Sequence, residues 1–339
     1  LKIFIMISVV IPLYNKAHTI VNTLQTVLNQ TFKDFEVIII NDGSTDNGVE
    51  VINKHFNDSR IKIINQDNQG VSAARNRGVE ESISDWVAFL DADDEWHPEY
   101  LEYVFKAISS YSEAGMICTG GIVGDIRNRY NVYYRLANKY IDKIVSVDYF
   151  ENPGVFGHTS ATVVRKDIFG YAGKFPLGMK RSQDLACFYS VALISKVVYI
   201  GLPLSRYNGG VEAQTTSLKN ESVIKHIVNY YNWVMRNYQK TNMVNKTFLI
   251  FIKYNIRHLI KNCVTRKDWD SIDYFYNNLD DNILSLFFPF EKVLYCDKNR
   301  YALAVLWINI TKIIWRLHRF PIVGKRIDTK KIPSKYCIW

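Results

Sequence analysis

Cysteine is scarce in this chain of 339 residues, and the five that occur are widely spaced. They form no Cys-x-x-Cys pair, which argues against a thiolate zinc site, and their odd number argues against a disulfide framework. A reducing compartment, the cytoplasm, is the simplest expectation. Long apolar runs are also missing, since the longest late one, Ala302 to Ile308, is far too short to cross a bilayer. We therefore expect no membrane-spanning segment.

Two common nucleotide-binding signatures are absent. A dinucleotide-binding dehydrogenase would carry Gly-x-Gly-x-x-Gly after its first strand, where this chain has Tyr14-Asn15-Lys16. A P-loop NTPase would carry Gly-x-x-x-x-Gly-Lys-Ser/Thr, which occurs nowhere in the sequence. The apolar run from Ile3 to Ile11 is followed by no small-residue cleavage site, so a first buried strand explains it better than a signal peptide.

Acidic residues are few in the last third of the chain. From Leu218 onward there are 21 basic and 9 acidic residues, a net charge of +12, whereas residues 1–217 have 21 basic and 24 acidic residues, a net of −3. This imbalance indicates two modules with different partners. We predict one domain over residues 1–217 and a basic, mainly helical region over residues 218–339. No nucleic-acid-binding motif is present, so nucleic acid is not expected as a partner.

Strands and helices alternate through the first hundred residues. The predicted strands there are residues 7–12, 35–40, 61–64 and 86–90, and helical periodicity fills the segments between them. Two later strands are expected over residues 160–164 and 196–200. Such alternation is typical of βαβ units with a parallel sheet covered by helices on both faces. Polar clusters follow each strand, and open α/β sheets bind ligands along that carboxyl edge. We therefore expect one binding site there.

The sharpest cluster is Asp91-Ala92-Asp93-Asp94, directly after the fourth strand. Three carboxylates within four residues repel one another, and Mg²⁺ or Mn²⁺ prefers carboxylate oxygens. An acidic turn that caps the next helix is the structural alternative, and the tetrad alone does not separate the two.

Two further clusters carry weaker signals. Asp42 stands at the end of the second strand, before a glycine turn, where it would accept a hydrogen bond from a nucleobase. Arg75 lies in a helix opened by Gly70 and small residues, a setting suited to phosphate. Taken singly, each is equally compatible with an ordinary turn or a solvated helix residue.

Together the clusters resemble the motifs of the family 2 glycosyltransferases with the GT-A fold, over roughly residues 7–217. The matching segments, in order and spacing, are Pro12-Leu13-Tyr14-Asn15, Asn41-Asp42-Gly43-Ser44, Asn68-Gln69-Gly70 through Arg75-Asn76, and Asp91-Ala92-Asp93-Asp94. The resemblance implies a Rossmann-like, mainly parallel sheet flanked by helices, with a helical C-terminal extension. It also implies a metal-dependent enzyme that uses a nucleotide-sugar donor.

Site roles follow from the same resemblance. Asp91 would lie near the ribose, and Asp93 would bind the Mn²⁺ or Mg²⁺ ion that bridges the phosphates. The residues that would hold the uridine diphosphate are Pro12, Tyr14, Asp42, Asn68 and Arg75.

The family's catalytic base falls at Asp184, where Gln183 replaces the usual glutamate of a Glu-Asp pair. Asp184 would take the proton of an acceptor hydroxyl as it attacks the anomeric carbon, which inverts that centre. A helix-start carboxylate without a catalytic role is the alternative. A second departure is that no histidine follows near Arg206-Tyr207, so the metal would have fewer protein ligands. His158 is interpreted as structural and left out of the site.

The basic third contains a segment, Ala302 to Arg319, in which apolar and aromatic residues mingle with Lys312, Arg316 and Arg319. This pattern suits a helix on an anionic membrane surface, and equally a helix packed on the catalytic domain. Dimerisation and acceptor binding are further uses for this tyrosine-rich region.

The sequence thus predicts a non-processive, inverting glycosyltransferase of bacterial surface-polysaccharide synthesis, because the Gln-x-x-Arg-Trp motif and the membrane helices of processive synthases are missing. Its donor would be a UDP-sugar, and its acceptor a glycan or a lipid-linked glycan. A non-catalytic sugar-nucleotide-binding or scaffold protein of the same fold is the alternative, with Gln183 as its sign.

Overall fold

A computed structural model of the protein describes residues 5–125, 128–152, 158–209, 220–317 and 327–336. Its first part is the expected alternation of strands and helices. Runs of Ile and Val form strands that are buried on both faces, as in parallel sheets. These elements are β1 (Ile7–Leu13), α1 (Ile20–Leu28), β2 (Phe35–Asp42), α2 (Gly48–His55), β3 (Ile61–Gln66), α3 (Val71–Glu81) and β4 (Trp86–Phe89).

The second part of the sheet is mixed. β9 pairs antiparallel with both β4 and β6, while β6 and β10 pair parallel with each other. The elements are β5 (Glu95–Trp96), α4 (Tyr100–Ser110), β6 (Ala114–Asp125), β7 (Asn128–Arg135), β8 (Ile144–Val147), β9 (Thr162–Arg165), α5 (Lys166–Tyr171), α6 (Gln183–Ile194) and β10 (Lys196–Gly209).

The strand order places the polar clusters together. Through the sheet it runs β3-β2-β1-β4-β9-β6-β10-β5, with β7 beside β6 and β8 beside β10. The first four strands of this order are parallel. Their carboxyl ends therefore share one edge, and the loops after β1, β2, β3 and β4 lie side by side there.

The last part of the chain is helical, as predicted. It comprises α7 (Asn220–Lys240), α8 (Lys246–Arg266), α9 (Trp269–Asn278), α10 (Asp281–Leu284), α11 (Pro289–Cys296) and α12 (Tyr301–Leu317). One buried apolar cluster continues from the sheet through α6 into these helices, so they share a core with the first part. The predicted boundary at residues 217/218 lies outside the described residues. No helix of the described residues is both long and apolar enough to span a membrane.

Several boundaries differ from the prediction in the middle of the chain. The strand expected over residues 160–164 is β9, Thr162–Arg165, preceded by a short 3₁₀ turn. The strand expected over residues 196–200 continues to Gly209. β6, β7 and β8 were not predicted, because glycine-rich strands such as β6 show no clear alternation of apolar and polar residues.

Candidate active site

Two loops at the carboxyl edge are tied together by Asn15. Its backbone has a φ of 52°, a conformation that asparagine tolerates better than most residues. Asn15 Oδ1 accepts hydrogen bonds from the backbone N–H of Thr45 at 2.8 Å and of Asp46 at 3.3 Å. Asp46 in turn accepts from the N–H of Ala17 at 2.8 Å. The loops after β1 and β2 therefore form one unit.

Asp42 is buried at the end of β2, and its carboxylate organises the neighbouring loop. Oδ1 accepts from Gln66 Nε2 at 2.7 Å and from the N–H of Gln69 at 2.9 Å, while Oδ2 accepts from the N–H of Gly70 at 2.8 Å. Gly70, with a φ of 88°, then begins α3. In this structure Asp42 shapes the loop that leads to Arg75, and its contact with a nucleobase stays a prediction.

Arg75 is nearly inaccessible, with a relative exposure of 3% for the whole residue. Nη2 donates to Asp91 Oδ1 at 2.6 Å, and the group lies 5.2 Å from the centre of the Phe175 ring. Nε and Nη1 have no hydrogen-bond partner among the described residues. A buried charged group with unpaired donors is costly unless a ligand completes it.

Two threonines at the start of α1 hold the Asp91–Asp94 turn in place. Thr19 and Thr23 donate their hydroxyls to the carbonyl of Ala92 at 2.8 and 3.1 Å. Within this turn, Asp93 faces the edge and accepts from Lys16 Nζ at 2.8 Å. The repulsion within the tetrad is therefore relieved partly by two basic side chains, one on Asp91 and one on Asp93.

The third carboxylate has a structural position. Asp94 is buried, and burial raises its pKa, while His158, whose Nδ1 lies 3.5 Å from Asp94 Oδ2, opposes the rise. Its oxygens accept from the Ser160 hydroxyl and, at 3.1 Å, from the N–H of Asn208. His158 is buried behind it, with Nε2 3.1 Å from the Ser205 hydroxyl. These contacts fasten β9 and β10 to the turn.

Asp184 lies in the first turn of α6, after Ser182 in a left-handed conformation with a φ of 59°. Burial raises the pKa of its carboxyl, the N–H of Leu185 and the charge of Arg75 oppose that rise, and the charge of Asp91 adds to it. Asp184 therefore lies within electrostatic range of Arg75 and Asp91.

The remaining predicted donor residues line the same edge. Tyr14 is 49% exposed directly after β1, and Asn68 is exposed in the loop after β3. The backbone of Asn68 passes so close to Gly43 that a side chain at Gly43 would approach its nitrogen to 2.8 Å. Pro12 sits within β1, opposite Ile40 of β2. Tyr14, Asn68 and Pro12 therefore lie at or next to the carboxyl edge of the sheet.

Two residues of this site were missed by sequence reasoning. Lys16 pairs with Asp93, and Asn208 donates its side-chain amide to the Asp93 carbonyl at 2.8 Å. Lys16 follows Tyr14-Asn15 directly, and this proximity to a donor motif was the available signal. Asn208 is more than a hundred residues from Asp93, and only the pairing of β10 beside β5 brings it there.

The site fits a divalent cation that takes a single carboxylate from the protein. Among the described residues there is no group of three or more His, Cys, Asp or Glu side chains placed to hold a metal. Mg²⁺ often takes one or two carboxylates and completes its shell with substrate phosphates and water. Asp93 suits that arrangement, because it is half-buried at the edge and its partner is a single lysine.

Comparison with known proteins agrees with the motifs. Residues 8–170 match the family described as glycosyl transferase family 2. This segment therefore matches the family that its motifs predicted.

Named relatives match part of the chain. The glycosyltransferase YibD of Escherichia coli is 44% identical over 97 residues, 28% of this chain and 28% of its own length. GlyA of Streptococcus pneumoniae is 35% identical over 149 residues, 43% of this chain and 21% of its own. The amylovoran biosynthesis glycosyltransferase AmsB of Erwinia amylovora is 39% identical over 112 residues, 32% of this chain and 37% of its own. The match thus spans well under half of each relative.

Solved structures share the fold over nearly the whole chain. S. aureus TarS in complex with UDP-GlcNAc superposes with a TM-score of 0.67 at 14% identity, covering 96% of this chain and 99% of that one. The same protein in complex with UDP gives a TM-score of 0.55, also at 14% identity, and covers 97% of this chain and 100% of that one. At such identity the likeness establishes the fold, which is GT-A-like with a helical C-terminal region.

Proposed function

We propose that the protein is an inverting glycosyltransferase that moves a sugar from a UDP-sugar to a glycan or lipid-linked acceptor in bacterial surface-polysaccharide synthesis. The observation that carries the proposal is the buried guanidinium of Arg75, whose Nε and Nη1 lack partners beside Asp91 and Asp184. An anion that enters the site would accept from these donors. UDP is the expected anion, since TarS of the same fold was solved with UDP-GlcNAc and with UDP.

Arg75 would bind the diphosphate because its planar donor fork matches phosphate oxygens and it cannot lose its proton. Tyr14 and Asn68 are exposed at the same edge and would contact the uridine end. Asp91, already held by Arg75, would face the ribose. When bound, Mn²⁺ or Mg²⁺ at Asp93 would supply charge stabilisation for the diphosphate leaving group.

Asp184 is the proposed general base. Its raised pKa increases its proton affinity over that of an exposed aspartate, which favours transfer from an acceptor hydroxyl. The hydroxyl oxygen would attack the anomeric carbon on the face opposite the diphosphate. One displacement of this kind inverts the anomeric centre.

Calorimetric titration of UDP, with and without Mn²⁺, tests the donor site. We expect binding to wild type that strengthens with Mn²⁺, loss of that metal effect in Asp93→Asn, and at least about tenfold weaker binding in Arg75→Met. Arg77→Met is the matched control, because Arg77 lies on the same helix but pairs with Glu81 on the surface. An absence of UDP binding under all conditions would refute the assignment of the donor.

The Asp184→Asn variant separates an enzyme from a non-catalytic binding protein. We expect UDP to bind the variant while hydrolysis or transfer of the donor sugar falls by about 100-fold or more. A scaffold protein would bind UDP in both forms and show the same absence of turnover in each.

A second part of the proposal concerns the C-terminal helices. Leu303, Leu306, Ile310, Ile313 and Ile314 are exposed at a spacing of three and four residues, so they share one face of α12. The half-exposed rings of Phe288 and Phe290 extend this face by packing on Trp307 at 6.1 and 5.0 Å. We call these eight residues the α11–α12 apolar patch.

We infer that the α11–α12 apolar patch lies on an anionic membrane. The opposite face of α12 packs inward through Ala304, Ile308 and Thr311, whereas most of the patch is exposed in the part of the chain that the structure describes. Lys253 lies 5.2 Å from the Phe288 ring, and the whole region carries a net charge of +12. Anionic lipid attracts such a surface, whereas a second copy of it would be repelled.

Flotation with liposomes tests this surface. We expect binding to vesicles that contain phosphatidylglycerol, little binding to pure phosphatidylcholine, and loss of binding in the Leu306→Glu/Ile313→Glu variant. Ile83→Glu is the control, since Ile83 is 75% exposed on the catalytic part. A concentration-dependent dimer in ultracentrifugation that Leu306→Glu abolishes, together with absent liposome binding, would assign the patch to a second copy instead.

A further inference from the structure

Two ion pairs lie side by side on the acidic turn at the donor edge. Arg75 Nη2 donates to Asp91 Oδ1 at 2.6 Å, and Lys16 Nζ donates to Asp93 Oδ2 at 2.8 Å. The N–H of Asp94 donates to the carbonyl of Asp91 at 3.0 Å, which closes a tight turn whose ends lie within about 7 Å of each other. The two basic groups therefore approach the same turn, Arg75 from α3 and Lys16 from the loop after β1.

The backbone of Lys16 is fixed, while its side chain keeps donors for a ligand. Its carbonyl accepts from the N–H groups of Thr19 and Ile20 at 3.1 and 3.0 Å, at the start of α1. The side chain is 23% exposed, so its ammonium group can be reached from the edge of the sheet. An ammonium group carries three N–H donors, and the hydrogen bond to Asp93 uses one of them. Lys16 can therefore bind a second anion without leaving the turn.

Carboxylates outnumber basic side chains around this turn, among the residues that the structure describes. Asp91 and Asp93 are each paired with a basic side chain, and Asp94 is buried behind them. Asp184 lies within electrostatic range of Asp91. A diphosphate that enters would meet this negative charge, so its binding requires contacts with basic groups. Lys16 is the more exposed of the two basic side chains that the turn already holds.

We propose that Lys16 is a donor-binding residue that holds the β-phosphate of the nucleotide sugar, an assignment that rests on the proposed function. Arg75, paired with Asp91 on the ribose side of the turn, would hold the α-phosphate. Lys16, paired with Asp93 two residues further along the turn, would hold the phosphate that follows. Its donation to phosphate would weaken the ion pair with Asp93 and leave that carboxylate for the divalent cation.

The transfer step gives the lysine a role beyond binding. The acceptor hydroxyl oxygen forms a bond to the anomeric carbon of the donor, and the bond from that carbon to the β-phosphate oxygen breaks. The electron pair stays on this oxygen and leaves with UDP, while the hydroxyl proton passes to Asp184. Negative charge on the β-phosphate therefore grows as the bond breaks, and the ammonium group of Lys16 would stabilise it.

Titration of the whole protein with UDP and with UMP tests the assignment. Both are measured by calorimetry in EDTA, so that no metal ion takes the place of the lysine. We expect Lys16→Met to bind UDP at least about tenfold more weakly than wild type, because a charge-assisted contact is lost. UMP lacks the β-phosphate and should weaken by less than about threefold, since only longer-range attraction is lost. Lys62→Met is the matched control, because Lys62 Nζ also lies 2.8 Å from a carboxylate, that of Glu81, and it should bind both nucleotides like wild type.

A double variant separates a contact with phosphate from simple neutralisation of Asp93. If Lys16 only neutralised that carboxylate, its loss would have no effect in Asp93→Asn, and Lys16→Met/Asp93→Asn would bind UDP like Asp93→Asn. We expect the double variant to bind UDP at least about tenfold more weakly than Asp93→Asn. Equal UDP affinities of these two variants would overturn the assignment. Circular dichroism confirms that each variant is folded.

The outcomes separate the role of Lys16 from the proposed function. If UDP binds to wild type and Arg75→Met weakens it, but Lys16→Met does not, the donor site stands and the assignment of Lys16 is wrong. An equal loss for UDP and UMP in Lys16→Met would also overturn it, as would UDP binding to wild type only when Mn²⁺ is present. If UDP does not bind under any condition, the proposed function fails, and the assignment of Lys16 fails with it.

Discussion

The Nζ atom of Lys16 lies 2.8 Å from Oδ2 of Asp93, and this ion pair joins the loop after β1 to the loop after β4. Both side chains are mostly buried, with exposed fractions of 23% and 16%. The lysine therefore places a single positive charge on the carboxylate that is proposed to hold the metal ion. Lys16 and the cation would compete for Asp93, or share it once the diphosphate arrives.

Replacement of Lys16 should strengthen metal binding. In Lys16→Met the carboxylate loses a competing cation, and we expect Mn²⁺ to bind the UDP complex about fivefold more tightly, which corresponds to about 1 kcal/mol for a partly buried ion pair. Titration of Mn²⁺ followed by electron paramagnetic resonance measures this affinity. Lys62→Met, which breaks a surface pair with Glu81, is the control and should change nothing. Weaker Mn²⁺ binding in Lys16→Met would show that the lysine supports the metal site.

Asp184 should make the protein less stable at high pH. Burial raises its pKa in the folded state above that of the unfolded chain, so stability from this group is present below the unfolded value and is lost as pH rises through the folded value. Asp184→Asn should therefore raise the free energy of unfolding at pH 8, and the gain should shrink toward pH 4. Urea unfolding at several pH values measures it.

Asp58 provides a control of opposite sign for that experiment. A hydrogen bond from Arg60 lowers its pKa to about 2, so its contribution is present above the unfolded value and lost as pH falls. Asp58→Asn should lower stability at pH 8. Equal effects of the two substitutions at pH 8 would contradict the assignment of a destabilising, buried carboxylate at position 184.

The ion pair between Arg257 of α8 and Glu291 of α11 should contribute strongly to the stability of the C-terminal helices. Their side chains are 8% and 0% exposed, and Arg257 Nε donates to Glu291 Oε2 at 3.1 Å. Glu291→Gln leaves a buried charge without its counterion, which costs about 3–5 kcal/mol. Lys174→Met, which breaks an exposed pair with Glu80, should cost under about 1 kcal/mol. Denaturant unfolding compares the two, and equal losses would contradict the argument.

Gly78 allows α3 to approach β1 closely. A Cβ atom at this position would lie 2.3 Å from Val10 Cγ1. Alanine favours a helix by about 1 kcal/mol over glycine, but overpacking of a core costs about 1–3 kcal/mol, so we expect Gly78→Ala to destabilise. Because α3 carries Arg75, UDP affinity should fall as well. The Val10→Ala/Gly78→Ala double variant should recover part of both losses, and additive losses would rule out the contact as their cause.

The donor edge could be predicted from sequence because its motifs are local. Each of Tyr14, Asp42, Asn68 and Asp91 follows a strand whose apolar run is visible, and parallel strands end at a common edge. The hydrogen-bond partners of these residues could not be predicted from the sequence. Asp42 binds the backbone at Gln69 and Gly70, a contact that depends on the loop conformation.

The surroundings of Asp184 were the least predictable part. Asp184 was placed by resemblance, but the cavity next to its helix turn is lined by residues of α6, α7 and α8, and helix packing brings residues such as Tyr189 and His258 together across long sequence separations. The predicted amphipathic helix near the C-terminus was found as α12, and the structure assigns one face to the core and leaves the other exposed. Periodicity showed that the helix was apolar on more than one side, without showing which side would be covered.

By itself, the sequence determined the order of strands and helices, the edge on which the donor motifs meet, and the basic character of the last third, because periodicity, turn residues and charge are properties of short segments. Only the tertiary structure decided that Lys16 neutralises Asp93, that Asp94 is buried behind the site, and that α6, α7 and α8 form a cavity beside the helix turn of Asp184. These relationships depend on strand pairing and helix packing between distant segments, which short-range sequence patterns do not predict.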